Sequence, residues 1–145
     1  MVKYMIKNRL KRCREDLEMT QKEFGNVFGV SDSTVWGWEN AYDTMPLKKL
    51  VKFSNLYNYS LDYILGLDKN NKKYSDKIKL DKKVVGEKLK KLRKKLGLSQ
   101  QKIADECGIS RATYCHYEIG MNLITTLTLY TICKNHKISM DEFLR

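Results

Sequence analysis

Residues 99–118, SQQKIADECGISRATYCHYE, decide the fold, because residues 20–39, TQKEFGNVFGVSDSTVWGWE, already carry the same pattern. Ser99 and Thr20 are good helix caps, and Thr20 with Glu23 makes a reciprocal capping pair. A helical run follows each cap. Gly108 and Gly29 then break the run where a left-handed residue makes a tight turn. Ile109 or Val30 tucks inward, and Ser110 or Ser31 caps a further helix. Ala104 and Gly25 place a small residue where the two helices must approach.

The correspondence extends well beyond this stretch. Gln21 and Gln100 are 79 positions apart, and the same offset, without a gap, pairs Leu10 with Leu89 and Arg14 with Arg93. It goes on to pair Glu39 with Glu118, Leu50 with Leu129, Ser60 with Ser139 and Leu65 with Leu144. Two copies are too few for a solenoid and suit two small domains. These are placed at residues 1–66 and 84–145, with 67–83, LDKNNKKYSDKIKLDKK, as a polar linker. The first copy has ten basic and eight acidic residues, the linker seven and three, and the second copy eleven and six. The basic surplus therefore sits in the linker and the second copy.

Each copy reads as five helices. Ile6, Leu10, Cys13 and Leu17 recur at helical spacing, as do Val85, Leu89, Leu92 and Leu96, so the basic N-terminus from residue 1 reads as a helix. The third helices span about 32–40 and 111–119, with Val35 and Trp38, or Tyr114 and Tyr117, on the inner face. Fourth helices cover about 46–57 and 125–136, and Ser60 and Ser139 cap short last helices. No strand-like alternation occurs, so the fold class is all-α.

A net charge of +11 attracts polyanions such as nucleic acid. No run of 18 apolar residues occurs, so no membrane span is expected. The N-terminus has no apolar core with a cleavage site, so it is not read as a signal peptide and a cytoplasmic location is expected. The four cysteines form no C-x-x-C pair. Cys115, His116, Cys133 and His136 superficially resemble a ligand set, but adjacent residues diverge by roughly 100° on a helix, so no metal or cofactor is expected. No phosphate loop, Ser/His/Asp arrangement or paired-carboxylate cleft is visible, so no catalytic step is expected.

Two helices across a glycine turn make a helix-turn-helix. The segments TQKEFGNVFGVSDSTVWGWEN and SQQKIADECGISRATYCHYE resemble the Cro/phage-repressor-type, or Xre-like, helix-turn-helix family, and SLDYILG and SMDEFLR resemble its last helix. The resemblance implies two tandem lambda-repressor-like domains that bind double-stranded DNA, as a transcriptional repressor of phage, mobile-element or bacterial origin. It implies that Gln21 and Gln100 grip phosphates. It implies that Arg14 with Glu39, and Arg93 with Glu118, form internal salt bridges. It also implies that the third helices lie in the major groove.

The bases would then meet Arg111, Ala112, Cys115 and His116 in the second copy. Arg can bond guanine twice, and Ala can meet a thymine methyl. The first copy offers Asp32, Ser33, Trp36 and Gly37. Asp32 can accept from cytosine but opposes phosphate, and Trp36 should be exposed because Trp38 faces inward. The first copy therefore either reads a different sequence or has turned towards a protein partner, including a second copy of the chain. An adaptor of antitoxin or antirepressor type is the alternative to the regulator.

Overall fold

The computed structural model describes residues 6–145. Its described residues form ten helices and no strand. The chain divides into two compact units, the first ending at Asp76 and the second spanning Lys77–Arg145. The first unit holds α1 Leu10–Asp16, α2 Gln21–Phe28, α3 Asp32–Glu39, α4 Leu47–Tyr57 and α5 Leu61–Ile64. The second holds α6 Lys82–Lys95, α7 Gln100–Cys107, α8 Arg111–Glu118, α9 Thr126–His136 and α10 Met140–Leu144.

The caps fall where the side chains can make them. Thr20 accepts from Glu23 N while Glu23 accepts from Thr20 N. Ser31, Ser60, Ser99, Ser110, Thr125 and Ser139 each accept from the amide three residues on. Such a cap contributes about 1 kcal/mol.

The two cores solve one geometry with different side chains. In the first unit Phe24 and Phe53 meet edge to face at 5.2 Å, with Phe28 against both. The counterparts in the second unit are Ile103, Ile132 and Cys107. Cys107 fills the place of a phenylalanine, and burial pushes its thiol up to about 11. Leu50, Leu61 and Ile64, and likewise Leu129, Ile132 and Met140, are wholly buried.

The first helices differ. Periodicity predicts a helix from the N-terminus onward; residues 1–5 lie outside the described residues, and α1 begins only at Leu10. Its counterpart α6 begins at Lys82, seven residues earlier in register. Gly86 explains this. A Cβ there would lie 2.5 Å from the carbonyl oxygens of both Tyr117 and Glu118, so the bare backbone lets α6 run directly over the end of α8. The first copy has Lys7 at that position. Its chain instead brings Asn8 Nδ2 to Trp38 O at 2.9 Å, and Arg9 N to Ile64 O at 2.7 Å, before the helix starts.

The segment 67–83 is also more structured than its composition suggests. Asn71 Oδ1 accepts from Ser60 N at 2.7 Å, and Lys73 Nζ donates to Asn58 O. Arg9 donates to Asp68 O and lies over the Tyr63 ring. Asp81 caps α6 through Lys83 N and Val84 N. The second unit begins at Lys77, and its Ile78 is buried.

Candidate nucleic-acid interface

Each unit presents its third helix through the same turn. Gly29 and Gly108 take φ of 68° and 66°, the left-handed conformation that reverses the chain at no steric cost. Val30 N bonds Gly25 O, and Ile109 N bonds Ala104 O, closing the turn behind the glycine. At Gly25 a Cβ would come within 2.5 Å of Val30 O, so this turn in the first unit has no room for the methyl that Ala104 carries in the second.

Caps and turn together fix the outward face. Val35 and Trp38, and Tyr114 and Tyr117, are buried. Opposite them, Asp32, Ser33 and Trp36 are exposed and Gly37 is half-buried. In the second unit Arg111 and Ala112 are exposed, with Cys115 and His116 half-buried beside them. Each set of four positions named from the sequence is therefore brought together on one helix face. The Trp36 ring is 50% exposed and Trp38 only 2%, as a two-residue offset on a helix requires.

A buried glutamate anchors each third helix. In the first unit Arg14 Nε meets Glu39 Oε2 at 2.6 Å and Arg14 Nη2 donates to Oε1 at 3.1 Å. In the second, Arg93 Nε meets Glu118 Oε1 at 2.6 Å. Each arginine also donates to a loop carbonyl, Met19 O or Leu98 O, at the entrance to the next helix. The hydrogen bond to the carboxylate raises both guanidinium pKa values.

Gln21 and Gln100 join these same networks. Gln21 Nε2 donates to Glu39 at 3.0 Å, and Gln100 Nε2 donates to Glu118 at 2.8 Å. One N–H of each amide is thereby committed, which fixes the side chain while its second N–H remains available to an anion beside the first turn of α2 or α7. Sequence reasoning missed this link between the glutamines and the ion pairs.

It also missed Tyr114, whose hydroxyl donates to Glu118 Oε1 at 3.0 Å, four residues along α8. The Tyr–Glu spacing was the available signal. Burial pushes Glu118 up, but the bonds from Arg93, Gln100 and Tyr114 outweigh it and hold the carboxyl below its usual range. Burial and the nearby Glu118 charge push the Tyr114 hydroxyl far up, so it stays a donor.

Beside Gln100 lies a concavity lined by Lys83, Lys90, Glu87, Glu118 and Ile119. Lys83 falls in the segment assigned to the linker, which hid its place at this site. The concavity beside Gln21 is lined instead by Asp32, Ser33 and Trp36. The second unit thus sets two lysines and two glutamates beside its glutamine, the first an acid and an aromatic ring.

His136 Nε2 pairs with Glu106 at 2.8 Å, Cys133 is buried, and Cys115 lies on the α8 face. Among the described residues no three His, Cys, Asp or Glu side chains group as metal ligands. Nor is any described helix long and apolar enough to cross a membrane.

The sequence model of the helix-turn-helix family matches the chain twice, over residues 10–64 and 89–143. Three curated relatives come from Bacillus subtilis (strain 168). The HTH-type transcriptional regulator ImmR is 38% identical over 65 residues, 45% of this chain and 51% of its own length. YobD, an uncharacterized HTH-type transcriptional regulator, is 36% identical over 63 residues, 43% of this chain and 56% of its own. YqaE, likewise uncharacterized, is 29% identical over 75 residues, 52% of this chain and 65% of its own. The chain therefore spans between half and two thirds of the length of the curated relatives it matches.

Proposed function

We propose that this chain, which belongs to the helix-turn-helix family and carries its fold twice, is a sequence-specific DNA-binding transcriptional regulator. It acts as a repressor of phage, mobile-element or bacterial origin, working in the cytoplasm without a catalytic step. The second unit leads the reading. The observation that carries this is the exposed Arg111–Ala112 start of α8, in the unit where Glu118 holds Gln100 in place in a concavity with Lys83, Lys90 and Glu87.

Arg111 offers two donors to a guanine edge, and Ala112 a methyl-sized contact. Gln100 offers its remaining N–H to a phosphate at a helix N-terminus, where backbone amides and the helix dipole also favour an anion. Lys90 adds sequence-independent attraction. Binding over a promoter would exclude polymerase.

Anisotropy of a labelled duplex, titrated at several salt concentrations, tests this. Affinity should fall linearly with salt on logarithmic axes, and Lys90→Ala should reduce the slope by about 1. No salt-sensitive binding would sink the proposal. A second reading, an adaptor whose first unit holds a protein, is favoured by Trp36, which lies half exposed where the second unit has Cys115.

A further inference from the structure

The two units carry unlike patches at matching positions, just where the third helix ends. In the first unit Trp36 and Tyr42 face each other with ring centroids 6.0 Å apart, and they are 50% and 80% exposed. The charged side chains of α3 are Asp32 and the paired Glu39, and the loop 40–46 carries only Asp43. Asp32 shares a concavity with Trp36, and Asp43 sits against Gly37 and follows Tyr42. This is an aromatic patch with carboxylates at its margin.

Just past the end of α8 in the second unit the exposed apolar side chains are Ile119 and Met121, at 60% and 54%. Met121 stands at the position of Tyr42. Lys82 Nζ donates to Met121 O, and the Lys83 backbone packs so close to Gly120 that a Cβ there would lie 2.8 Å from it. Ile119 shares its concavity with Lys83 and Lys90. This is an aliphatic patch bordered by Lys82, Lys83 and Lys90 with one exposed carboxylate, Glu87, brought there because Gly86 lets α6 run over the end of α8.

We infer that the Trp36–Tyr42 patch of one chain docks on the Ile119–Met121 patch of a second copy of this chain. The patches are complementary in both respects that matter: apolar centre to apolar centre, and Asp32 and Asp43 to Lys82 and Lys83. Tryptophan and tyrosine are the residues that most often anchor interfaces, and opposed charge at the margin fixes register and speeds encounter. Because every chain carries both patches, the contact joins unlike surfaces of successive chains. The inference does not depend on whether α8 reads DNA. It does assign the first unit's outward face to protein rather than to bases, as its acidic side chains favour.

The test uses the full chain, freed of nucleic acid, in sedimentation equilibrium and tryptophan emission across a concentration series at low and high salt. The monomer is 17.1 kDa. The mass should rise above this with concentration, less at high salt. Emission should shift to the blue in step, because Trp36 leaves water while Trp38 is already buried.

Trp36→Ala, an exposed position that should leave folding intact, should raise the dissociation constant about 30-fold. Asp43→Lys and Lys83→Glu should each weaken association about tenfold, and the two combined in one chain should restore it. Monomer at all concentrations overturns the inference. So does association indifferent to Trp36→Ala, or charge reversals without mutual rescue. An emission shift that appears only on adding duplex DNA also overturns it, and returns this face to base reading.

Discussion

Replacing Arg93 by Ala should be among the most damaging single changes to the second unit. The Glu118 side chain is only 3% exposed and that of Arg93 13%, so the carboxylate has exchanged most of its water for Arg93, Gln100 and Tyr114. Removing the cation leaves a buried charge with two neutral donors. A broken buried pair costs about 3–5 kcal/mol, which is comparable to the whole stability of a small domain. At an m-value of about 1 kcal/mol/M the urea midpoint should fall by about 3 M, or the unit should be unfolded without denaturant.

Optical probes separate the units, because both tryptophans, Trp36 and Trp38, lie in the first. Arg93→Ala should shift the part of the far-ultraviolet circular dichroism transition that tryptophan emission does not follow. Arg14→Ala should shift the tryptophan transition. The loss should also depend on pH in a defined direction. Glu118 is held below its ordinary value of 4.5 in the fold, so its stabilising contribution is present above that value and lost as pH falls through the folded pKa. Without Arg93, burial favours the protonated acid. The gap between wild type and variant should therefore be widest near neutrality and close below about pH 4.5.

Arg93→Met with Glu118→Gln should recover more than half of the loss, since the amide is uncharged and still accepts from Tyr114. A single variant that loses under about 1 kcal/mol, or a double variant no better than the single, would refute the buried-charge reasoning.

Gly86→Ala should destabilise the second unit by about 1–3 kcal/mol in urea melts, because its methyl meets two backbone carbonyls that have no room to yield. Lys7→Gly at the matching position should gain nothing of that kind. Gly25→Ala should cost the first unit a similar amount, read by tryptophan emission, since Val30 O stands in the way. Gln100→Ala should cost about 1.5–3 kcal/mol of stability, for one hydrogen bond to a charged acceptor, and lower duplex affinity across all sequences alike in anisotropy titrations.

The architecture was legible because the chain states it twice. Caps and turn glycines are local devices, and an offset of 79 confirmed each of them against a second copy. The α1 start was not legible, since it depends on what a carbonyl 31 residues away, at Trp38 or Tyr117, finds opposite Lys7 or Gly86. The Lys7–Gly86 mismatch in the repeat was the clue, and only packing gives it meaning. The local bonding of the segment 67–83 was not legible for a related reason. Its Lys and Asn side chains look solvated, yet Asn71 and Lys73 bond the Ser60–Asn58 corner of the first unit. The reading faces were legible as faces, because helical period alone sets them. The tie between Gln100, Tyr114 and Arg93 was not, since it needs three elements to converge on Glu118.

Selection of DNA from a random pool by the full chain at near-physiological salt, repeated with Arg111→Ala, tests the central claim most directly. A recurring motif that loses discrimination at one guanine position in the variant, with a cost of about 1–3 kcal/mol there, is the predicted result. No enriched motif, or a motif unchanged by Arg111→Ala, would contradict the assignment of α8 as the reading helix.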